Sequence, residues 1–284
     1  MSSVAPRMRA GASFPLVVAG AATLLLYAPV LAGLAADWAR FPSQSHGFAV
    51  PVIAAYLIWR RRDGLASEGS GSSPATSLVV LAAALGALVI GSLTGETFLA
   101  RISLPIALLG VVLFVGGPGA LRHLWVGLAY LLFMVPLPYL TLKPLTYQSR
   151  LFDAGVTAAA LRRLGVPVLQ DGVMLHLANL TLEVADDCSS VPAMAALIAL
   201  GVAYAQMKPR PAWARIALAL AAAPLGLAAN IARLILTALA AYLLGPIALD
   251  TVLHRFGGTT VFLATMLLLV ALDRLLLRLA RPRG

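Results

Sequence analysis

One cysteine stands in the chain, Cys188, within the run Val184-Ala185-Asp186-Asp187-Cys188-Ser189-Ser190, and an apolar stretch from Val191 to Tyr204 follows at once. A lone thiol closes no internal disulfide. At the predicted mouth of a helix it lies where the backbone dipole favours negative charge. Asp186 and Asp187 oppose that charge, so a reactive Cys188 needs a cation nearby. Two ionisable residues offer one. Arg233 lies in the apolar run Ala228-Ala229-Asn230-Ile231-Ala232-Arg233-Leu234, and His254 lies in Leu253-His254-Arg255-Phe256-Gly257-Gly258. Asn230 precedes Arg233 by three residues, so the two share a helical face. A thiol, a histidine that takes and returns a proton, and a cation that steadies developing negative charge make an acyl-transfer site.

Each of these residues also has a plainer reading. A cysteine is often a small apolar filler, although here its neighbours are Asp186, Asp187, Ser189 and Ser190. A histidine at a membrane edge is commonly interfacial. An arginine near mid-bilayer costs about 2.5–3.5 kcal/mol on insertion scales unless it snorkels to water, and long apolar flanks make snorkelling hard for Arg233. His46, in Ser45-His46-Gly47, is either a helix-start residue or part of the site. His123 beside Arg122 reads as a solvated cytoplasmic face, and His176 as a surface residue. No pair of histidines or cysteines has metal-ligand spacing, and no phosphate-cradling glycine loop or dinucleotide fingerprint occurs, so neither metal nor cofactor is expected.

The elements that must position these residues are membrane helices. Of the 284 residues 61% are hydrophobic and only 11% charged, and the mean hydropathy is +0.92. No soluble domain of this length carries so few charges. The net charge of +10 sits at the ends of apolar segments, where it anchors against lipid headgroups rather than binding nucleic acid. Eight apolar segments are predicted, at roughly 14–34, 47–59, 77–93, 99–116, 123–140, 189–206, 216–245 and 257–275. The expected fold is an all-α polytopic bundle of about eight transmembrane helices in a single domain, 1–284. Gly116-Gly117-Pro118-Gly119 reads as a turn between two of them.

Charge asymmetry orients the bundle. Arg7, Arg9, Arg60-Arg61-Arg62, Arg122, Lys208, Arg210, Arg215, Arg274, Arg278, Arg281 and Arg283 all fall on one face if both termini are cytoplasmic. A flexible cytoplasmic linker spans about 63–76. The opposite face collects Asp37, Glu96, Asp153, Asp171, Glu183, Asp186, Asp187 and Asp250. It includes an extracytoplasmic segment of about 141–187. There 144–164 reads as an amphipathic interfacial helix whose basic residues reach headgroups. Short alternation around an Asn179 turn predicts a small β-hairpin on the outer surface, leading into Cys188. The site is then on the extracytoplasmic side.

These motifs together resemble the exosortase/archaeosortase family of polytopic membrane transpeptidases. That family carries a cysteine in an Ala-Cys-Ser-Gly-like run at the start of a span, and Asp187-Cys188-Ser189-Ser190 occupies that place. It carries Asn-x-x-Arg in the next span, matched by Asn230 and Arg233. It has a histidine before the last span, often as His-x-x-x-Gly, matched by His254 and Gly258. Ser45-His46-Gly47 and Trp59-Arg60-Arg61 match a further pattern near the N-terminus. Two departures flank the nucleophile: Ser190 replaces the usual glycine, and Val191-Pro192-Ala193-Met194 replaces Ile-Arg-like residues, as in a divergent subtype.

The resemblance implies a thiol protease or transpeptidase of the bacterial inner membrane. Its substrates are secreted proteins ending in a Pro-Glu-Pro-type (PEP-CTERM) signature, a transmembrane helix and a basic tail. It implies Cys188 as nucleophile, His254 as proton carrier and Arg233 as stabiliser of the oxyanion or thiolate, with Asn230, Ser189, Asp187, His46 and Gly258 in support. The acyl group passes to a surface acceptor, an exopolysaccharide or lipid-linked group among the choices. From a different class come a transporter with Asn230 and Arg233 lining a polar path, and a non-catalytic scaffold for exopolysaccharide assembly.

Overall fold

A computed structural model describes residues 10–62, 74–207, 210–245 and 252–279 of the chain. The side chains at 10–13, 42, 74, 139–140, 187, 252–262 and 279 lie outside the description. The chain divides into two compact units, Met1–Leu137 and Pro138–Gly284.

In the first unit α1 (Ala10–Leu26) and α2 (Ala28–Arg40) meet at the fully buried Tyr27. The stretch expected as one straight span is therefore two helices, bent by 67°. Pro29 at the start of α2 fits that break, since it has no N–H to continue the α1 ladder. A 3₁₀ turn, Pro42–Phe48, leads into α3 (Ala49–Arg60), which at 12 residues is too short to cross a membrane. α4 (Pro74–Thr94) and α5 (Thr97–Tyr130) follow. α5 is kinked where its helical geometry breaks at Gly117, with φ of 70°, inside the expected Gly116–Gly119 turn between the predicted fourth and fifth segments. Arg101 on α5 pairs with Asp37 on α2 at 2.6 Å, so Asp37 is not a free surface acid. His123 is half-buried rather than solvated.

Among the described residues four helices are long and apolar enough to cross a membrane: Ala75–Thr94, Thr97–Met134, Ser190–Met207 and Ala212–Leu244. The bent pair makes a fifth if it is one span. Four or five of the expected eight crossings are thus seen among the described residues, and the short, bent and broken helices are where that number and the apolar pattern part.

In the second unit α6 (Tyr139–Arg163) lies beside a three-stranded antiparallel sheet, β1 (Val168–Asp171), β2 (Met174–Leu177) and β3 (Thr181–Glu183), in the order β1-β2-β3. Where two strands were expected there are three: Gly172, with φ of 57°, turns β1 back onto β2. β2 then pairs with β3 through Leu175 opposite Leu182. One face of α6, with Asp153, Ala154, Thr157, Ala158 and Leu161, is fully buried. This helix packs against protein rather than lying free in an interface. Its basic Arg150 reaches Glu183 and Asp186 rather than headgroups.

α7 (Ser190–Met207) and α8 (Ala212–Leu244) form the main pair of this unit, and α9 (Val252–Leu279) packs on α8. A Cβ at Gly226 would come within 2.8 Å of the Met194 backbone, so a glycine is what lets α7 and α8 approach so closely. Arg210, expected as a cytoplasmic anchor, is instead buried in a two-pronged pair with Asp273 of α9, each prong 2.7 Å. α8 has 33 residues, about 50 Å at 1.5 Å per residue, which exceeds a hydrocarbon core of about 30 Å. Its last turns carry the sheet: Ile235, Ala238, Leu239 and Tyr242 pack with Leu177, Leu180 and Leu182. Asn179 donates to the carbonyls of Ala241 and Tyr242.

Candidate active site

The chain descends from the Asn179 turn along β3 and reaches Cys188 a few residues later. Cys188 is not in α7. It ends a short 3₁₀ turn, Asp186–Cys188, and Ser189 is extended before α7 starts at Ser190. Arg150 fixes this turn from α6. Its guanidinium donates to Glu183 Oε1 at 2.8 Å, to Asp186 Oδ1 at 2.7 Å and to the Val184 carbonyl. Three acceptors for one planar fork hold the segment before the cysteine in a single geometry. The Cys188 side chain is half-buried against Ala154, Ala158, Leu175 and Val184, with Leu234 of α8 on the same cluster.

Asn230 ties α8 to this turn. It is 3% exposed, and its Nδ2 donates to the Cys188 carbonyl at 2.8 Å and to Asp153 Oδ2 at 3.2 Å. Both amide hydrogens are thereby used. An Asn230 held this way closes a protein contact and lines no open path, which removes one support of the transporter alternative. Arg233, one turn further along α8, is half-buried. It has no hydrogen bond or ion pair to a described residue.

Asp153 is the residue that sequence reasoning missed, because it was counted among the surface acids. Its carboxylate is fully buried. It accepts from the Ser190 amide at 2.8 Å, from the Ser190 hydroxyl, from Asn230, and from Ser149 at 3.4 Å. Burial raises its pKa, and the donors from Ser190, Asn230 and Ser149 pull the other way. Asp153 also corrects the expected benefit of the helix dipole. The first amide of α7 points at Asp153, so the favourable N-terminal charge is spent on that carboxylate. One signal was readable: an acid at 153 on the otherwise small and apolar stripe 154, 157, 158 and 161.

The neighbouring amides are also occupied. Cys188 N–H donates to Ala185 and Ser189 N–H to Asp186, at 2.9 and 3.2 Å. Cys188, Ser189 and Ser190 therefore have no backbone N–H to spare for an anionic oxygen.

His254 and Gly258 lie on the backbone of α9, in its first turns rather than ahead of it. The His254 side chain is outside the described residues, as is that of Asp187. His46 belongs to the first unit. Burial lowers its pKa, while backbone groups of Ser43 and Phe133 oppose that shift. The neighbouring Gly47 lies against the Trp38 indole, where no Cβ fits, so this motif has a packing reason of its own. Among the described residues no three His, Cys, Asp and Glu side chains gather as a metal site.

A family model described as transmembrane exosortase matches residues 38–271. The chain belongs to the exosortase family. No curated protein and no solved structure matches it. Membership makes this exosortase a membrane protein of a family of cysteine transpeptidases that act in protein sorting. The matched stretch takes in the Cys188 turn, the Asn230 clasp and the start of α9.

Proposed function

We propose that this exosortase cleaves secreted proteins at a C-terminal sorting signal and transfers them through a thioester to a surface acceptor. The substrate ends in a Pro-Glu-Pro-type signature, an apolar helix and a basic tail. The Cys188 thiolate attacks the scissile carbonyl, and His254 carries the thiol proton to the leaving nitrogen. The C–N bond breaks, and the signal helix departs as an amine. An acceptor nucleophile, from an exopolysaccharide or a lipid-linked group, then releases the acyl chain from sulfur.

The observation that carries this reading is the Asn230 clasp on the Cys188 carbonyl. It brings the Asn-x-x-Arg turn of α8 onto the cysteine turn. It also supports a division of roles. With the amides of residues 188–190 committed, negative charge on the carbonyl oxygen needs side-chain donors, and Arg233 carries a guanidinium that is uncommitted among the described residues.

The length of α8 supports an outward-facing site in the bacterial inner membrane. With its Trp213–Arg215 end at the cytoplasmic surface, about 20 residues fill the hydrocarbon core. Counted from Ile216, that reaches the level of Ile235, so Arg233 sits in the last turn before the outer boundary, where its side chain reaches past the core and escapes the mid-bilayer penalty. With α9 crossing back and the bent α1–α2 pair crossing once, both termini are cytoplasmic in this arrangement.

The test is a strain expressing the full chain with a secreted protein that carries the signature, helix and tail. Cys188→Ala is expected to leave the precursor uncut, read as its unshortened size on an immunoblot. Normal shortening in that strain overturns the reading.

A further inference from the structure

Ser189 stands where a helix-capping hydroxyl normally accepts from the amide two or three residues ahead. The residue three ahead is Pro192, which has no N–H. No bond to Val191 forms either: Ser189 is 1% exposed, and its Oγ has no hydrogen-bond partner among the described residues. A buried hydroxyl left unpaired lowers stability, and an alanine there would not carry that penalty. On either side the Cys188 carbonyl is held by Asn230, and the Ser190 amide and hydroxyl by Asp153. An idle donor thus directly follows the single thiol in the chain, where the backbone N–H groups of residues 188–190 are all taken.

We infer that the Ser189 hydroxyl is a catalytic hydrogen-bond donor to the scissile carbonyl oxygen, acting with Arg233. This rests on the cysteine-transpeptidase reading. As the C–S bond forms, the carbonyl π pair moves onto oxygen, and Ser189 Oγ–H and the guanidinium donate to it without losing a proton. The pair returns as the C–N bond breaks, and the leaving nitrogen takes its proton from His254. Pro192 then has a role too: it removes the amide that would otherwise occupy Ser189 as a cap.

The experiment compares wild type, Ser189→Ala and Cys188→Ala as full-length protein in lipid vesicles, with the precursor described above as substrate. Removing one oxyanion donor lowers turnover on the order of 100-fold. Ser189→Ala is therefore expected to lower kcat by about that factor, with KM within a few-fold. Alkylation of the single thiol by iodoacetamide should keep its rate, and the thermal midpoint should hold or rise. Wild-type turnover in Ser189→Ala beside an inactive Cys188→Ala overturns this inference and leaves the nucleophile standing. Turnover in Cys188→Ala overturns the reading beneath it. A Ser189→Ala protein that loses activity together with thermal midpoint and alkylation rate shows a structural cap and also overturns the inference.

Discussion

The two ends of α7 each hold a buried carboxylate, and they treat it differently. At the C-terminal end Asp273 meets Arg210 through two 2.7 Å contacts, and Tyr204 adds a third donor. Arg210 spends two more hydrogens on the carbonyls of Tyr204 and Ala205. At the N-terminal end Asp153 meets only neutral donors, from Ser149, Ser190 and Asn230. One turn along α8 from Asn230, the Arg233 guanidinium pairs with no described residue, and the Ser189 hydroxyl is idle. One end is closed to further interaction. The other withholds a charge and a donor, as a site does that must bind developing charge.

The sharpest way to break this contrast is at the closed end. Arg210→Ala strands a buried Asp273. Removing one member of a buried pair is strongly destabilising, about 3–5 kcal/mol. The expected outcome is a large drop in thermal midpoint and in protein recovered from membranes. Replacing both partners with apolar residues, Arg210→Met with Asp273→Leu, should recover most of the loss. A single variant as stable as wild type would show the clasp to be dispensable.

Arg233 tests the open end with the same residue type. It gives no described partner up, so Arg233→Ala should shift stability by less than about 0.5 kcal/mol. Its loss should fall on turnover instead, on the order of 100-fold to 1,000-fold in kcat, about 2.7–4 kcal/mol of barrier. Arg233→Lys should recover only part, because a point charge does not reproduce a planar fork. Kinetics and thermal midpoints measured on one preparation separate the two arginines. A destabilised Arg233→Ala with normal turnover would reverse the assignment.

Much of this contrast was legible in the residues, and the missing part has physical causes. Cys188, Asn230 and Arg233 stood out because polar groups at the edges of apolar runs are conspicuous, and helical spacing put Asn230 and Arg233 on one face. The bend at Tyr27 was not legible, since apolar composition measures burial or lipid contact without saying where a helix turns, whereas the break at Gly117 and the brevity of α3 were, in the Gly116–Gly119 turn and the short segment 47–59. Asp153 and Arg210 were misplaced for a related reason. Charge counting assigns ionised groups to water, whereas both are buried by partners remote in sequence: Asp153 by residues 37 and 77 positions away, Arg210 by one 63 positions away. Ser189 was named only as a neighbour of the thiol. Its idle state depends on where the amides of residues 188–190 point, which no spacing rule gives.

Asp153 supplies the smallest effect and a pH signature of its own. Burial raises the Asp153 pKa. The unfolded chain loses this proton near pH 3.9, and the folded chain loses it at a higher pH. Between those two values the folded state binds more protons, so stability falls as pH rises through that window and levels off above it. Asp153→Asn removes this slope. It also misorients one amide against donors from Ser190 and Asn230, at about 1–3 kcal/mol. Thermal midpoints of the two proteins, followed upward from about pH 4, should therefore converge as pH rises if desolvation of the carboxylate dominates. They should stay parallel if the neutral donors fully compensate it. Parallel curves would mean that Asp153 is as well satisfied as Asp273, and the two ends of α7 would then differ only at Ser189 and Arg233.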